Sequence, residues 1–239
     1  ILPLHPPAFA RLPEAFYSRV SPEPLHTPYW VAQNHVLAAE IDMPLADFND
    51  GMLAYLSGSA AHYDPAPIAS VYSGHQFGVY VRQLGDGRAM LLGESSDAQG
   101  RAWEWQLKGA GKTPYSRFAD GRAVLRSSIR EYLCSEAMAG LGIPTTRALS
   151  ITGSDEPVYR ETVLGGAVLT RVAASHLRVG SLQYFAARGD LDAVVMKALQ
   201  RKREDRFGTA LEFARAIDKA APGLIWHPEQ TGELVSRHF

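Results

Sequence analysis

An antiparallel sheet with one long helix laid on it, an α+β fold, is what the sequence predicts, on three observations. Residues 103–108 alternate Trp103, Trp105 and Leu107 with Glu104, Gln106 and Lys108, the period of a strand with one apolar face. Just upstream, Gly85-Asp86-Gly87 separates two alternating runs, as a tight hairpin turn does. Just downstream, Leu125, Ile129, Leu133 and Ala137 recur at i, i+4, a stripe that predicts a helix packed on the sheet through those residues.

Residues 1–30 carry seven prolines (Pro3, Pro6, Pro7, Pro13, Pro22, Pro24 and Pro28) and read as an irregular segment wrapped over the surface. Helical patterning follows at Val36–Glu40 and again over 44–56, with Asp50-Gly51 interrupting or capping the second piece. The stretch 58–78 is loop-rich. Its His62 and His75 lack a third ligand at metal-site spacing and read as structural. The runs 79–84 and 88–94, with the strand at 103–108 returned through Gly100, predict a three-stranded meander. Gly142-Ile143-Pro144 ends the helix, and 147–151, 157–161 and 167–172 read as further short strands.

Glu131 lies on the helix face away from the stripe, among Val124, Ser127, Cys134 and Met138, with no cation at i±3 or i±4. A carboxylate there needs a partner from elsewhere, and Lys108 at the end of the preceding strand is the candidate. Such a pair is either a structural ion pair or the lysine and glutamate with which a kinase-type lobe holds nucleotide phosphates. Asp120-Gly121-Arg122 reads as a cap for the helix, and Arg171 and Arg178, seven residues apart, read as solvated arginines or as two cations of one site.

Composition narrows the function classes. The 239 residues are 46% hydrophobic and 21% charged, with a formal net charge of −1, giving no global electrostatic case for nucleic acid or an anionic membrane. The single cysteine, Cys134, excludes an internal disulfide framework and reads as a buried, inert thiol. No apolar run approaches the roughly 20 residues of a membrane span, and the N-terminus lacks a signal-peptide core. The chain opens on Ile1, as expected where the true N-terminus lies upstream. A Walker A loop fails at Gln106, where a glycine is required, and a dinucleotide fingerprint fails at Pro114; neither a G-x-S-x-G elbow nor H-E-x-x-H occurs.

Three segments, YSGHQFGVYVRQLGDGRAMLLGE (72–94), 107–149 and LTRVAASHLRVGSLQYFA (169–186), closely resemble the selenoprotein O family, also called YdiU, over roughly residues 1–190. The resemblance implies a protein-kinase-like N-lobe, an antiparallel sheet plus a C-type helix, that binds ATP in a flipped orientation. It also implies transfer of AMP to Ser, Thr or Tyr hydroxyls of protein substrates, with Mg or Mn as the metal and a bacterial cytoplasmic location. By the same resemblance Gly85, Gly87, Arg88, Lys108, Asp120, Gly121, Arg171 and Arg178 bind the nucleotide, and Glu131 orients Lys108. Exposed amides at the glycines and the Arg88 guanidinium suit phosphate oxygens.

Beyond Gly189-Asp190 the resemblance is expected to stop, at a junction near Leu191-Asp192-Ala193 of a truncated or fused gene product. Residues 191–220 resemble the last two helices of bacterial Hanks-type Ser/Thr kinases, with Arg206 at the place of an arginine whose glutamate partner, in Ala-Pro-Glu, is missing here. The implied organisation is an N-terminal wrap with helices (1–70), a nucleotide-binding lobe (71–172), and a truncated, mostly helical C-terminal part (173–239). No His-Arg-Asp and no Asp-Phe-Gly occurs, so the family's catalytic loop and metal ligands are not found in these residues. The expectation is impaired AMP transfer, or a non-catalytic nucleotide-binding or protein-interaction module; conventional phosphoryl transfer ranks below both.

Overall fold

The computed structural model describes residues 3–12 and 14–186. A first compact unit runs from Ile1 to Ser181, and a second from Leu182 to Phe239. The helices expected over 191–220 lie outside the described residues.

In chain order the described elements are β1 (Tyr17–Arg19), β2 (Tyr29–Gln33), α1 (His35–Glu40), α2 (Asp50–Leu56), β3 (Ile68–Ser70), β4 (Gly74–Gln76) and β5 (Val79–Val81). These are followed by β6 (Ala89–Ser96), β7 (Ala102–Lys108), β8 (Ala123–Val124), α3 (Leu125–Gly140), β9 (Arg147–Tyr159), β10 (Val163–Ala173) and α4 (Val179–Ala186). Among the described residues one antiparallel sheet has the order β1-β3-β6-β7-β10-β9-β2, with β8 joined to β10, and β4 and β5 form a separate pair. The fold is α+β, and this arrangement is compatible with a kinase-like lobe.

The first helix matches expectation, whereas the piece expected over 44–56 is a 3-10 turn at Leu45–Asp47 followed by α2 from Asp50; both helices are capped by asparagine, Asn34 Oδ1 accepting from Leu37 N at 3.0 Å and Asn49 Oδ1 from Met52 N at 3.1 Å. The N-terminal 30 residues are less irregular than their prolines suggest. They supply β1 and the first residues of β2, at opposite ends of the sheet path, and Phe9, Phe16 and Leu25 are buried. Prolines at strand ends are compatible with this, because an edge strand leaves some donors unused.

Two further readings are corrected. The hairpin expected around Gly85-Asp86-Gly87 does not form: β5 pairs with β4 across Phe77-Gly78, and β6 pairs instead with β3 and β7. Gly78, at φ +77°, turns the pair that does form. The three short strands expected after the helix are two long ones, because β9 continues through Ser154 and Pro157 with a register shift rather than breaking. The β6–β7 hairpin is as expected. Asp97 Oδ1 accepts from Gln99 N and Arg101 N at 3.0 and 2.8 Å, and Gly100 adopts φ +75°.

The two faces of the sheet differ in chemistry. On one, Met90, Leu92, Trp105, Leu107, Leu149, Val168 and Val172 pack with Leu37, Met52 and Leu56 of α1 and α2 in one apolar core. Each such side chain contributes about 1.5–3 kcal/mol on burial. On the other, β7 presents Glu104, Gln106 and Lys108, and Glu104 and Gln106 are themselves buried.

Helix α3 covers that polar face, which overturns the expected packing stripe. Leu125 packs beside Ile151 and Leu169, but Ile129 and Leu133 are 38% and 61% exposed and Ala137 is also exposed. The inward face carries Ser128, Glu131, Tyr132 and Glu136 instead. Glu136 Oε2 meets Arg147 Nη2 at 2.8 Å, and Glu136 Oε1 accepts from Ala148 N at 2.9 Å. The cations beneath α3 require acceptors, and an unpaired buried cation costs more than a solvated leucine. Cys134 follows the same rotation and is exposed rather than buried.

Candidate functional site

Cross-strand register brings the first site residues together. Lys108 lies between Ala89 of β6 and Leu169 of β10, and Gln106 lies directly opposite Arg171. Antiparallel pairing at these positions places side chains on one face within reach of each other. Above them, α3 supplies Glu131, whose Oε2 receives Lys108 Nζ at 2.5 Å and whose Oε1 receives Arg171 Nη1 at 3.2 Å. Arg171 Nη2 also donates to Gln106 Oε1. The partner that Glu131 required is therefore Lys108, and Arg171 shares the same carboxylate.

Lys108 and Arg171 share the Glu131 carboxylate, and the buried Asp86 carboxylate also acts on Arg171. Burial, followed by the neighbouring Arg171 guanidinium, pulls the Lys108 ammonium below the ordinary lysine range, with Glu131 acting against both. Burial also lowers Arg171 from the ordinary guanidinium value, again opposed by Glu131. Among the described residues, Arg171 Nε and Arg178 Nε are buried without a hydrogen-bond partner, and so is Asp86 Oδ1, which lies 3.7 Å from Arg178 Nη2. Unpaired buried donors of this kind are rare and cost free energy unless an anion occupies the space beside them.

Arg178 reaches the site from the segment between β10 and α4. Its guanidinium lies 4.8 Å from the Tyr72 ring centroid, and its Nη2 is 3.7 Å from Asp86 Oδ1. Asp86 is held in turn by Ser70, whose N and Oγ donate to Asp86 Oδ2 at 3.1 and 2.5 Å. Burial and then Asp86 push the Tyr72 phenol up to about 12, so it stays neutral. Arg171, on a strand, and Arg178, on the segment after it, are thus near enough to act on each other and on Tyr72.

Gly85 and Gly87 differ from expectation. Their amides are not exposed donors: Gly85 N donates to Tyr72 O at 3.1 Å, Asp86 N to Ser70 O at 2.9 Å, and Gly87 N to Gly85 O at 3.0 Å. What glycine provides there is close approach. A Cβ at Gly85, where φ is +67°, would lie 2.5 Å from the Tyr115 ring, and one at Gly87 would lie 2.9 Å from Tyr115 O. Ser116 Oγ donates to Gly87 O at 2.6 Å and Thr113 Oγ1 to Asp86 O at 2.7 Å, stitching loop 113–118 onto this turn. The exposed side chain the turn offers a ligand is Arg88, whose Nη1 donates to Arg122 O at 3.5 Å and whose charge is felt at Lys108.

Asp120 does not cap α3, whose N-cap is Val124. Its carboxylate takes Arg160 Nη1 and Nη2 at 2.6 and 2.9 Å and accepts from Arg122 N at 2.9 Å. The Arg160 hydrogen bond is the main cause holding this carboxyl below its ordinary range. Gly121, at φ +73°, lies against Gly111, where a Cβ would come within 2.1 Å of the backbone. Asp120 and Gly121 therefore belong to a loop packed closely on Gly111, with Arg88 reaching the carbonyl of Arg122 next to it.

Sequence reasoning missed Glu104, Gln106, His176 and Tyr72 as site neighbours. A signal existed for the first two, since they alternate with tryptophans on the strand that ends in Lys108, and the face opposite a packed apolar face need not be solvated. No group of three or more His, Cys, Asp and Glu side chains among the described residues could hold a metal ion. No helix among them is long and apolar enough to cross a membrane.

The family described as Protein adenylyltransferase SelO matches residues 3–202. A protein nucleotidyltransferase YdiU of Rhizobium meliloti (strain 1021) is 54% identical over 187 residues, 78% of this chain and 38% of that protein. One of Dechloromonas aromatica (strain RCB) is 54% identical over 236 residues, 98% of this chain and 46% of that protein. Another of Vibrio cholerae serotype O1 is 55% identical over 177 residues, 74% of this chain and 36% of that protein. This chain spans less than half the length of these relatives. The similarity to the Dechloromonas protein passes the boundary expected near residue 190, so the family likeness does not stop there.

Proposed function

The chain belongs to the protein adenylyltransferase SelO family, and from that premise we propose that residues 72–178 bind the triphosphate of ATP for AMP transfer to Ser, Thr or Tyr hydroxyls of proteins. The observation that carries this reading is the cluster of Lys108, Arg171 and Arg178, in which two buried guanidinium Nε donors are unpaired. Phosphate oxygens are the chemistry that such donors accept, and guanidinium forks bind them with defined geometry. The kinase-like character of the lobe belongs to this proposal: Lys108 stands on a strand, Glu131 of the covering helix orients it, and a glycine turn with Arg88 closes one side.

In the transfer, a substrate hydroxyl oxygen forms a bond to the α-phosphorus and the bond to pyrophosphate breaks, the hydroxyl proton passing to a base. This chain's share is to hold and orient the phosphates. The described residues offer a magnesium or manganese ion no group of three or more His, Cys, Asp and Glu side chains. We assign the 239 residues taken by themselves nucleotide binding with impaired transfer. The alternative reading of these residues is a non-catalytic nucleotide-binding or protein-interaction module. A cytoplasmic location fits either reading.

Titration calorimetry with ATP tests the proposal. Saturable binding that Lys108→Ala weakens at least about 10-fold is expected from loss of one charge-assisted phosphate contact. No heat of binding from the folded chain would contradict it. Transfer of labelled AMP to protein then separates the two readings, since transfer by the 239 residues would reject the non-catalytic one.

A further inference from the structure

Strand β10 leaves the sheet at Ala173, the residue in register with Glu104 of β7. From there to Arg178 the chain has no strand or helix to hold it, yet Arg178 must be placed over Tyr72 and beside Asp86. The described side chain that anchors this segment to the sheet is Glu104. Its Oε2 accepts the His176 backbone N–H at 2.5 Å and lies 3.3 Å from His176 Nδ1. Both side chains are removed from solvent, at 0% and 6% exposure. Within the segment, Ser175 Oγ accepts from Leu177 N at 3.1 Å, which tightens the turn into Arg178.

A carboxylate at zero exposure is costly, and an apolar side chain on β7 would fill the same volume without that cost. What the carboxylate adds is a strong, directed acceptor for a backbone N–H two residues from an arginine of the site. It is also the first of three alternate residues of β7 that each hold one part of the cluster: Glu104 holds His176, Gln106 holds Arg171 and Lys108 holds Glu131. We infer that Glu104 and His176 are positioning residues for Arg178, fixing its guanidinium where the nucleotide's phosphates bind. The inference rests on the nucleotide-binding reading above.

The test uses the full chain and ATP, with Glu104→Met, Glu104→Gln, Arg178→Ala and the double variant Glu104→Met/Arg178→Ala. Arg178→Ala is expected to weaken ATP about 30-fold and Glu104→Met about 10-fold, the scale of charge-assisted contacts. Glu104→Gln keeps an acceptor for the His176 amide and should recover affinity to within about 3-fold. If Glu104 acts through Arg178, the double variant binds no more weakly than Arg178→Ala alone, a coupling that general loss of stability does not produce. Hydrogen exchange at the amides of 174–178 should quicken in Glu104→Met while α3 stays protected.

Equal ATP affinity of Glu104→Met and the unsubstituted chain, or effects of Glu104→Met and Arg178→Ala that multiply, overturns the inference alone. Failure of the unsubstituted chain to bind ATP overturns the nucleotide-binding reading and this inference with it. Should Glu104→Met not fold, His176→Ala carries the same comparison, with a smaller loss that must also vanish in the Arg178→Ala background.

Discussion

Lys108 and Arg171 stand on neighbouring strands beneath a helix, whereas Arg88, Asp120 and Gly121 stand on the loops that lead into β6 and β8 of the same sheet. In the first half, position comes from ladder register and from one carboxylate shared by two cations. In the second, it comes from glycines that admit close backbone approach and from a bidentate Arg160–Asp120 pair. The buried half is fixed by electrostatic demand and the loop half by steric permission, so substitutions in the two should fail differently.

Removing Glu131 should rank among the largest effects. Glu131→Ala leaves Lys108 and Arg171 without their shared acceptor, and about 2–3 kcal/mol of stability should be lost, less than for a fully buried pair because these side chains keep some solvent contact. Urea unfolding measures it, and a loss under about 0.5 kcal/mol would place the pair among ordinary surface bridges.

Gly121→Ala should cost a similar amount, about 2–3 kcal/mol, from a left-handed backbone and a Cβ that forces the Gly111 backbone to shift. Its mark on the loop half is an ATP affinity that falls by more than the stability loss accounts for. Unchanged affinity in calorimetry would separate Gly121 from the site.

Asp120→Asn is a smaller, pH-dependent case. The folded-state carboxyl lies below its ordinary value because of Arg160, so its contribution is fully present above the unfolded pKa of about 4. That contribution is lost as pH falls through the folded-state value. The variant should lose at most about 1 kcal/mol at pH 7, since the pair is partly solvated, and should show a shallower stability decline below about pH 4. An identical acid profile would contradict the assignment.

Leu133→Lys should do least, within about 0.5 kcal/mol, because Leu133 faces solvent. A loss above 2 kcal/mol in thermal unfolding, about the cost of emptying a packed leucine site, would mean that α3 packs through its apolar stripe after all.

Which of these features could be read from sequence follows the same division. The Lys108–Glu131 pair was legible because it rests on local periods: a strand that ends in lysine, and a helix whose glutamate has no intrahelical partner. The rotation of α3 was not, because amphipathicity assumes an apolar surface beneath the helix, and here that surface carries Lys108, Arg171 and Arg147. The glycine turn at 85–87 was misread as a hairpin because its real partner, Tyr115, lies far along the chain and leaves no periodic trace. Asp120 likewise looked like a cap until Arg160, forty residues later, supplied its partner.

On the proposed reading both halves converge on one set of phosphates. The most direct measurement of that convergence is ATP affinity of Arg88→Met and Lys108→Met, one exposed cation from the loop half and one partly buried cation from the strand half. The account predicts that each weakens ATP at least about 10-fold with little change in unfolding temperature for Arg88→Met. It also predicts that each weakens tripolyphosphate to a similar degree. Tight ATP binding by Arg88→Met, indistinguishable from the unsubstituted chain, would contradict convergence and leave the loop half outside the site.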